Sequence, residues 1–231
     1  MNDAIPDRPA EPAATFRPER LPLHGERPCL DFANTRVWRL RDRPIETLTT
    51  YDDLLRWGRH AGVLGEAETA ALLVRASADE AAAARTLARA VDLREAIQGA
   101  FEAVGHGRAA PPSDLATIDR VLAEGMARAR LRPTADGFAW DWPPEEDALE
   151  RPLWMLARSA ADLLVSPELG RVRQCPGDGC GWLFLDTSKN GKRRWCDMAV
   201  CGNRARVRAH YRRRKGTTVD QPEAAGGPAG T

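Results

Sequence analysis

From residue 50 onward the apolar positions recur at helical spacing. Leu54, Leu55, Trp57 and Leu64 mark a short amphipathic helix capped by Thr49 or Thr50. A second helix is expected over 66–77. A third, Ala-rich, is expected over 79–104, where Leu87, Val91, Leu93, Ile97 and Phe101 recur near helical spacing and Gly105-His106-Gly107 stops the run. After Pro111-Pro112, Ser113 reads as the cap of a helix with Leu115, Ile118, Val121, Leu122 and Met126 on one side. The period then changes. Thr134-Ala135-Asp136-Gly137 is a turn signal, and Phe138, Trp140 and Trp142 alternate with Ala139 and Asp141, which predicts a hairpin over 131–142. Residues 145–166 return to the helical pattern, with Pro152 near the start and Ser166-Pro167 at the end. Residues 21–48 fit either a short strand or a short helix. The pattern thus predicts an α+β chain, with a mostly helical N-terminal domain and a small β element.

Beyond residue 170 the chain is organised by cysteines. Cys175, Cys180, Cys196 and Cys201 form C-x4-C-x15-C-x4-C, the spacing of a tetrahedral structural zinc site. Pro176-Gly177-Asp178-Gly179 consists of turn residues that let the chain reverse between two thiolates. Trp182–Leu185 reads as a strand, Ser188-Lys189-Asn190-Gly191 as a hairpin turn and Arg193–Trp195 as the return strand. A helix follows from Met198 to about Arg214, carrying the last ligand in its first turn. Knuckle, hairpin and helix in this order make a treble-clef-like finger. One structural Zn2+ satisfies the set better than disulfides, which need an oxidising compartment, or a redox switch. Four thiolates leave no open position for a catalytic water. His210 is not needed as a ligand, and Cys29 reads as a buried free thiol.

Composition changes this picture through its distribution. The 231 residues carry a net charge of +1. Residues 1–170 hold 21 Arg against 28 acids, a net −7, whereas 171–215 hold 13 Lys and Arg against Asp178, Asp186 and Asp197, a net +10. The neutrality is a cancellation between an acidic domain and a basic module. Arg204, Arg208 and Arg212 share one stripe of the last helix, with Arg206 and Arg213 on the other side and Arg214 at the end. Lys189, Lys192, Arg193 and Arg194 extend the patch along the hairpin. Val207 and Tyr211 are expected to dock that helix on the hairpin. A basic excess with so few carboxylates points to an anionic polymer, DNA first, with RNA or a protein partner as the alternative. Membrane binding is not expected, because no apolar face accompanies the charge. Residues 1–20 and 216–231 have the composition of disordered segments. No apolar stretch reaches membrane-spanning length and no signal peptide is evident, so a cytoplasmic location is expected.

The stretch 171–215 resembles the CGNR zinc finger, through both cysteine pairs, Trp182, Leu185-Asp186-Thr187-Ser188, Arg193-Arg194-Trp195-Cys196 and the tetrapeptide Cys201-Gly202-Asn203-Arg204. The preceding region, 21–170, is similar to the ABATE domain through Cys29–Thr35, Tyr51–Trp57 and Ser159–Leu164. The resemblance implies a C-terminal finger that binds DNA, in a stress-induced bacterial transcription regulator. Within the tetrapeptide, Gly202 is expected to pack closely beside the metal and Asn203 to bond the hairpin backbone. Arg204 is expected to contact phosphate or pair with Asp186.

Two further expectations concern the helical domain. Its apolar content suits a homodimer, the usual form of a regulator that reads two half-sites. His24, Asp31 and Asn34 are candidates to line a small-molecule pocket. Nothing in the sequence forms a catalytic constellation, so no enzymatic activity is expected.

Overall fold

The computed structural model describes residues 16–142 and 148–216, leaving the side chains of Arg212, Arg214 and Lys215 undescribed. The expected disorder of residues 1–15 and 217–231 falls outside that range. Residues 16–20 do not follow the expectation of disorder. Pro18–Arg20 forms a 3-10 turn with Pro18 buried, and Phe16 packs against the core. The apolar side chains of this short segment outweigh its proline content.

The first elements resolve the ambiguity of 21–48. Helix α1 (Pro28–Ala33) starts on Pro28, whose missing N–H costs nothing in a first turn, and is almost wholly buried. Strands β1 (Arg36–Val37) and β2 (Ile45–Glu46) then pair antiparallel. Helix α2 (Tyr51–His60) opens with a capping box, in which Thr50 Oγ1 accepts from Asp53 N and the Asp53 carboxylate accepts from Thr50 N. Helices α3 (Glu66–Ala78) and α4 (Glu80–Gly105) follow, α4 capped by Asp79 and ended before Gly107 at φ +70°. Helix α5 (Pro112–Met126) carries Pro112 in its first turn, so Ser113 lies inside the helix and is not its cap. Proline takes the start because its fixed φ suits the first helical position.

Strands β3 (Arg130–Thr134) and β4 (Gly137–Asp141) form the expected hairpin, in register from Arg130–Asp141 to Thr134–Gly137. Helix α6 (Arg151–Leu164) begins later than expected, with Pro152 in its first turn; part of the expected start, 143–147, lies outside the described residues. Strands β5 (Val172–Gln174) and β6 (Leu183–Leu185) pair antiparallel, and helix α7 (Asn203–Gly216), the last described element, follows a π-helical turn, Met198–Gly202.

Among the described residues one hydrophobic core joins the helices to the finger. Leu30 and Phe32 of α1, Leu93, Ile97 and Phe101 of α4 and Leu153 and Leu156 of α6 are fully enclosed, and so are Val172, Leu183, Phe184 and Leu185 of the finger strands. Inside this core Arg94 is 1% exposed, held by Glu46 at 2.5 and 2.7 Å and by Thr35 Oγ1 at 3.2 Å. No described helix is long and apolar enough to cross a membrane.

Candidate metal centre and basic helix

The cysteine site begins as a tight reversal between β5 and β6. Cys175 N donates to Trp182 O at 2.8 Å and Cys180 N to Gly177 O at 2.8 Å, which closes the knuckle. A Cβ at Gly177 would lie 2.9 Å from Cys201 Sγ, so that turn has no room for a side chain. Gly179 and Gly181 sit at φ +70° and +71° and are crossed by the segment after β1, where Arg39 N and Leu40 N donate to Cys180 O and Gly179 O at 3.2 Å. Glycine is needed here both for the backbone conformation and for the close approach. The second pair enters differently. Asp197 Oδ1 accepts from Ala199 N at 2.6 Å and Val200 N at 3.3 Å, capping the turn that carries Cys201. A Cβ at Gly202 would meet Met198 Sδ and Trp195 Cδ1, so the nearest packing at this glycine is against those side chains and not, as expected, beside the thiolates.

The four sulfurs lie within 4.8 Å of one another, all buried. Cys180 Sγ and Cys196 Sγ are 3.7 Å apart, as are Cys196 Sγ and Cys201 Sγ. A tetrahedral zinc with Zn–S bonds of about 2.3 Å requires edges of about 3.8 Å, whereas a disulfide requires about 2.05 Å. The geometry fits one tetrahedral ion. Four adjacent thiolates need a cation to be ionised together. Cys175, Cys180, Cys196 and Cys201 would hold Zn2+ as a closed structural site. Cys29 is separate and fully buried, and burial pushes its thiol up to about 12.

The hairpin of the finger is not the expected one. The partner of β6 is β5, and Arg193–Trp195 forms no strand. Asp186 accounts for the difference. Its buried carboxylate accepts from Ser188 N and Oγ at 2.9 and 2.5 Å and from Arg193 N at 3.0 Å, which folds the return segment into a loop. Asp186 is therefore occupied, and Arg204 does not pair with it. Arg204 instead lies over the Trp38 ring, 4.6 Å from its centroid. Asn203 is exposed, and the hairpin-backbone bond expected of it does not form.

The basic residues divide by placement. Lys189, Lys192 and Arg194 are exposed on the loop, and Arg204, Arg206, Arg208 and Arg213 are exposed on α7. Arg208 bridges to Asp178 at 2.5 Å, which holds the Asp178 carboxyl below its usual range and ties the helix to the first knuckle. Arg193 points inward. It contacts Glu26 at 3.0 Å, His24 O at 3.2 Å and Cys196 O at 2.7 Å, and it covers the Phe184 ring. The placement of Arg212 and Arg214 side chains lies outside the described residues. Val207 and Tyr211 do not dock on the hairpin; they are 45% and 46% exposed. His210 is exposed on the helix surface and takes no part in the cysteine cluster.

The three candidate pocket residues separate too. Asp31 is buried and accepts from Gly25 N at 2.7 Å. Asn34 is buried and grips β6, donating to Leu183 O and accepting from Leu183 N, both at 2.8 Å. His24 lines a cleft with Trp38 and Trp182. Sequence reasoning missed the role of Asn34, because a lone Asn after a short apolar run carries no sign of its distant strand partner.

Fold and site together define a protein in which a four-thiolate metal finger grows from a helical domain. Comparison with family models agrees. Residues 26–167 match ABATE, described as "putative stress-induced transcription regulator", and residues 171–214 match the CGNR zinc finger. The chain belongs to the ABATE family and carries a C-terminal CGNR finger. No curated protein matches it.

Proposed function

We propose that this protein is a cytoplasmic transcription regulator that binds DNA through α7 and the basic loop of the finger. The carrying observation is the surface of α7. Between residues 203 and 216 the helix has no acidic residue, and its described arginines are exposed on a helix anchored by the metal turn. Arg and Lys on such a surface neutralise phosphates and release counterions. The contact set is Lys189, Lys192, Arg194, Arg204, Arg206, Arg208, Arg212, Arg213 and Arg214, with Arg193 serving the fold. The closed thiolate shell supports a structural ion over a catalytic one, in keeping with a regulator that is not an enzyme. A reducing compartment suits such thiolates.

The test is binding of the full-length zinc-loaded chain to duplex DNA, followed by fluorescence anisotropy. With about six phosphate contacts, affinity falls by roughly a thousandfold between about 50 and 200 mM salt. Arg206→Ala lowers the salt slope by about one unit with zinc content unchanged. Binding that is insensitive to salt overturns the reading. A single-stranded RNA competitor examines the alternative, which the exposed Tyr211 favours, since an aromatic face stacks on unpaired bases.

The helical domain supplies dimerisation in this reading. The β3–β4 hairpin carries Leu131 and the 75%-exposed Phe138 on its surface, an apolar patch suited to a second copy. Light scattering at micromolar concentration is expected to give twice the chain mass, and a monomer counts against it.

A further inference from the structure

The loop between β1 and β2 is a basic segment of an acidic domain, and it is seated on the metal knuckle. Over residues 36–43 it carries Arg36, Arg39, Arg41 and Arg43 against one acid, Asp42. Arg36 and Arg39 turn to Glu95 of α4, at 3.7 and 2.5 Å. Arg41 does not. Trp38, at φ +53°, and a bond from Arg41 N to Trp38 O at 3.0 Å fold the loop into a tight turn. Leu40 N fastens that turn to Gly179 O at 3.2 Å. The Arg41 side chain then lies across Gly179, where a Cβ would come within 2.5 Å of its Cγ. The residue before Gly179 is Asp178, exposed in the middle of the knuckle.

Three guanidiniums thereby gather around one carboxylate. Arg208 reaches Asp178 at 2.5 Å. Arg41 and Arg204 lie 4.2 and 4.6 Å from the centroid of the same Trp38 ring, and Asp178 feels the charge of both besides that of Arg208. Among the described residues neither Arg41 nor Arg204 makes an ion pair of its own. Like charges repel, so three guanidiniums against one exposed carboxylate leave a positive excess that calls for further anions. The arginine fork matches phosphate oxygens bidentately. A DNA strand presents phosphates in a closely spaced row, which compensates the whole excess, whereas Asp178 compensates a single charge.

We infer that Arg41, Arg204 and Arg208 form one phosphate-binding cluster across the seam between helical domain and finger, and that the Asp178 carboxylate fills it in the free protein and is displaced by DNA. The inference rests on the DNA-binding reading. It adds a residue of the helical domain to the contact surface and gives the finger an internal competitor for its ligand.

The test measures the affinity of the full-length, zinc-loaded chain for duplex DNA by fluorescence anisotropy between about 50 and 200 mM salt, with the zinc content of every variant determined in parallel. Arg41→Gln removes the charge and keeps part of the stem that covers Gly179. It is expected to lower the salt slope by about one unit, so that over this range it loses about fourfold less affinity than the parent chain. Arg85→Ala removes the same charge from an exposed position on α4, about 15 Å along the helix from Glu95, and leaves the slope unchanged. Asp178→Asn keeps a turn-forming side chain and is expected to bind up to about fivefold more tightly, the worth of an exposed ion pair, with a steeper slope. In an Arg208→Ala background the same substitution leaves the slope as it was, because no guanidinium is released. An unchanged slope for Arg41→Gln with zinc retained overturns the cluster. Should that variant lose its zinc, Asp178→Asn decides. Weaker binding by Asp178→Asn makes its pair with Arg208 a strut and overturns the proposal. Salt-insensitive binding by the parent chain defeats the DNA-binding reading and the cluster with it, whereas salt-sensitive binding that neither substitution alters defeats the cluster alone.

Discussion

The two halves of the finger are held by different forces. The first half, β5 and β6, is part of the core of the helical domain. Val172, Leu183, Phe184 and Leu185 are fully enclosed, Leu185 N donates to Gly25 O, and Asn34 grips Leu183. The second half, from Thr187 to the end of α7, has no such burial. Its large apolar side chains Met198, Val200, Val207 and Tyr211 are exposed and only Trp195 is half-buried against the core, so besides the metal it is held mainly by polar contacts: Asp186, Arg193, the Asp197–His24 and Arg208–Asp178 pairs and Arg204 over Trp38. A finger of about 45 residues cannot bury enough surface to stand alone. Here half of it borrows a core and half depends on an ion, so the family boundary near residue 171 is no boundary in packing.

The strongest way to break this comparison is to remove the ion. Structural zinc contributes on the order of 10–16 kcal/mol to small finger domains at neutral pH. Chelation, or Cys196→Ser, is expected to abolish zinc binding and DNA binding together and to expose the amides of 196–216 to hydrogen exchange. The amides of α4, β5 and β6 keep their protection. Exchange that rises equally across all of 171–216 shows that the finger is one unit after all.

The converse test strikes the borrowed core. Phe184 lies in the finger by sequence and in the common core by packing. Phe184→Ala is expected to cost about 3–5 kcal/mol of global stability with zinc still bound, the usual result for an enclosed Phe. Val207→Ala, on the exposed helix, changes stability by less than about 0.5 kcal/mol. A denaturant midpoint for Phe184→Ala within error of the parent chain would falsify the shared core.

The same contrast decides what was legible in the sequence. Helices α2 to α4, the β3–β4 hairpin and the cysteine set could be read, because each rests on a local period, cap or spacing. Thr50 and Asp53 form their box within one turn, and the thiolates announce themselves by type. The pairing of β6 could not be read. Its partner depends on where the buried Asp186 carboxylate sends residues 188–193, and its register depends on Asn34, 149 residues away. Basic residues were legible as a set, but not individually. Arg193 and Arg194 are neighbours, and only their surroundings make one a packing group and the other a surface charge.

Asn34 sharpens the comparison at its seam. Its amide satisfies both backbone groups of Leu183 in a buried setting, so Asn34→Ala leaves a donor and an acceptor without partners. Each such group costs about 1–3 kcal/mol. The variant is expected to lose about 2–4 kcal/mol, measured by denaturant unfolding, and to retain its zinc. Loss of zinc at unchanged stability of the helical domain would place the seam elsewhere.

The smallest effect concerns Asp31, on the same seam. Its carboxylate accepts from Gly25 N, and Gly25 O in turn accepts from Leu185 N of β6. Burial pushes the carboxyl up to about 6 from an ordinary 3.8. The folded state therefore binds the proton more tightly than the unfolded chain, and stability from this group falls as pH rises from about 4 to about 6. Above that window the ionised group costs on the order of 2–3 kcal/mol. Asn keeps an acceptor for Gly25 N–H and has no charge to bury. Asp31→Asn is thus expected to be more stable than the parent chain at pH 7 and to match it near pH 4. The measurement is the difference in unfolding free energy between the two proteins across that range, which cancels the opposite contributions of Glu46 and Glu95, both held below their usual range by arginine partners despite burial. A difference that stays constant with pH would mean that Asp31 is hydrated in solution and that the seam between helical domain and strand is open there.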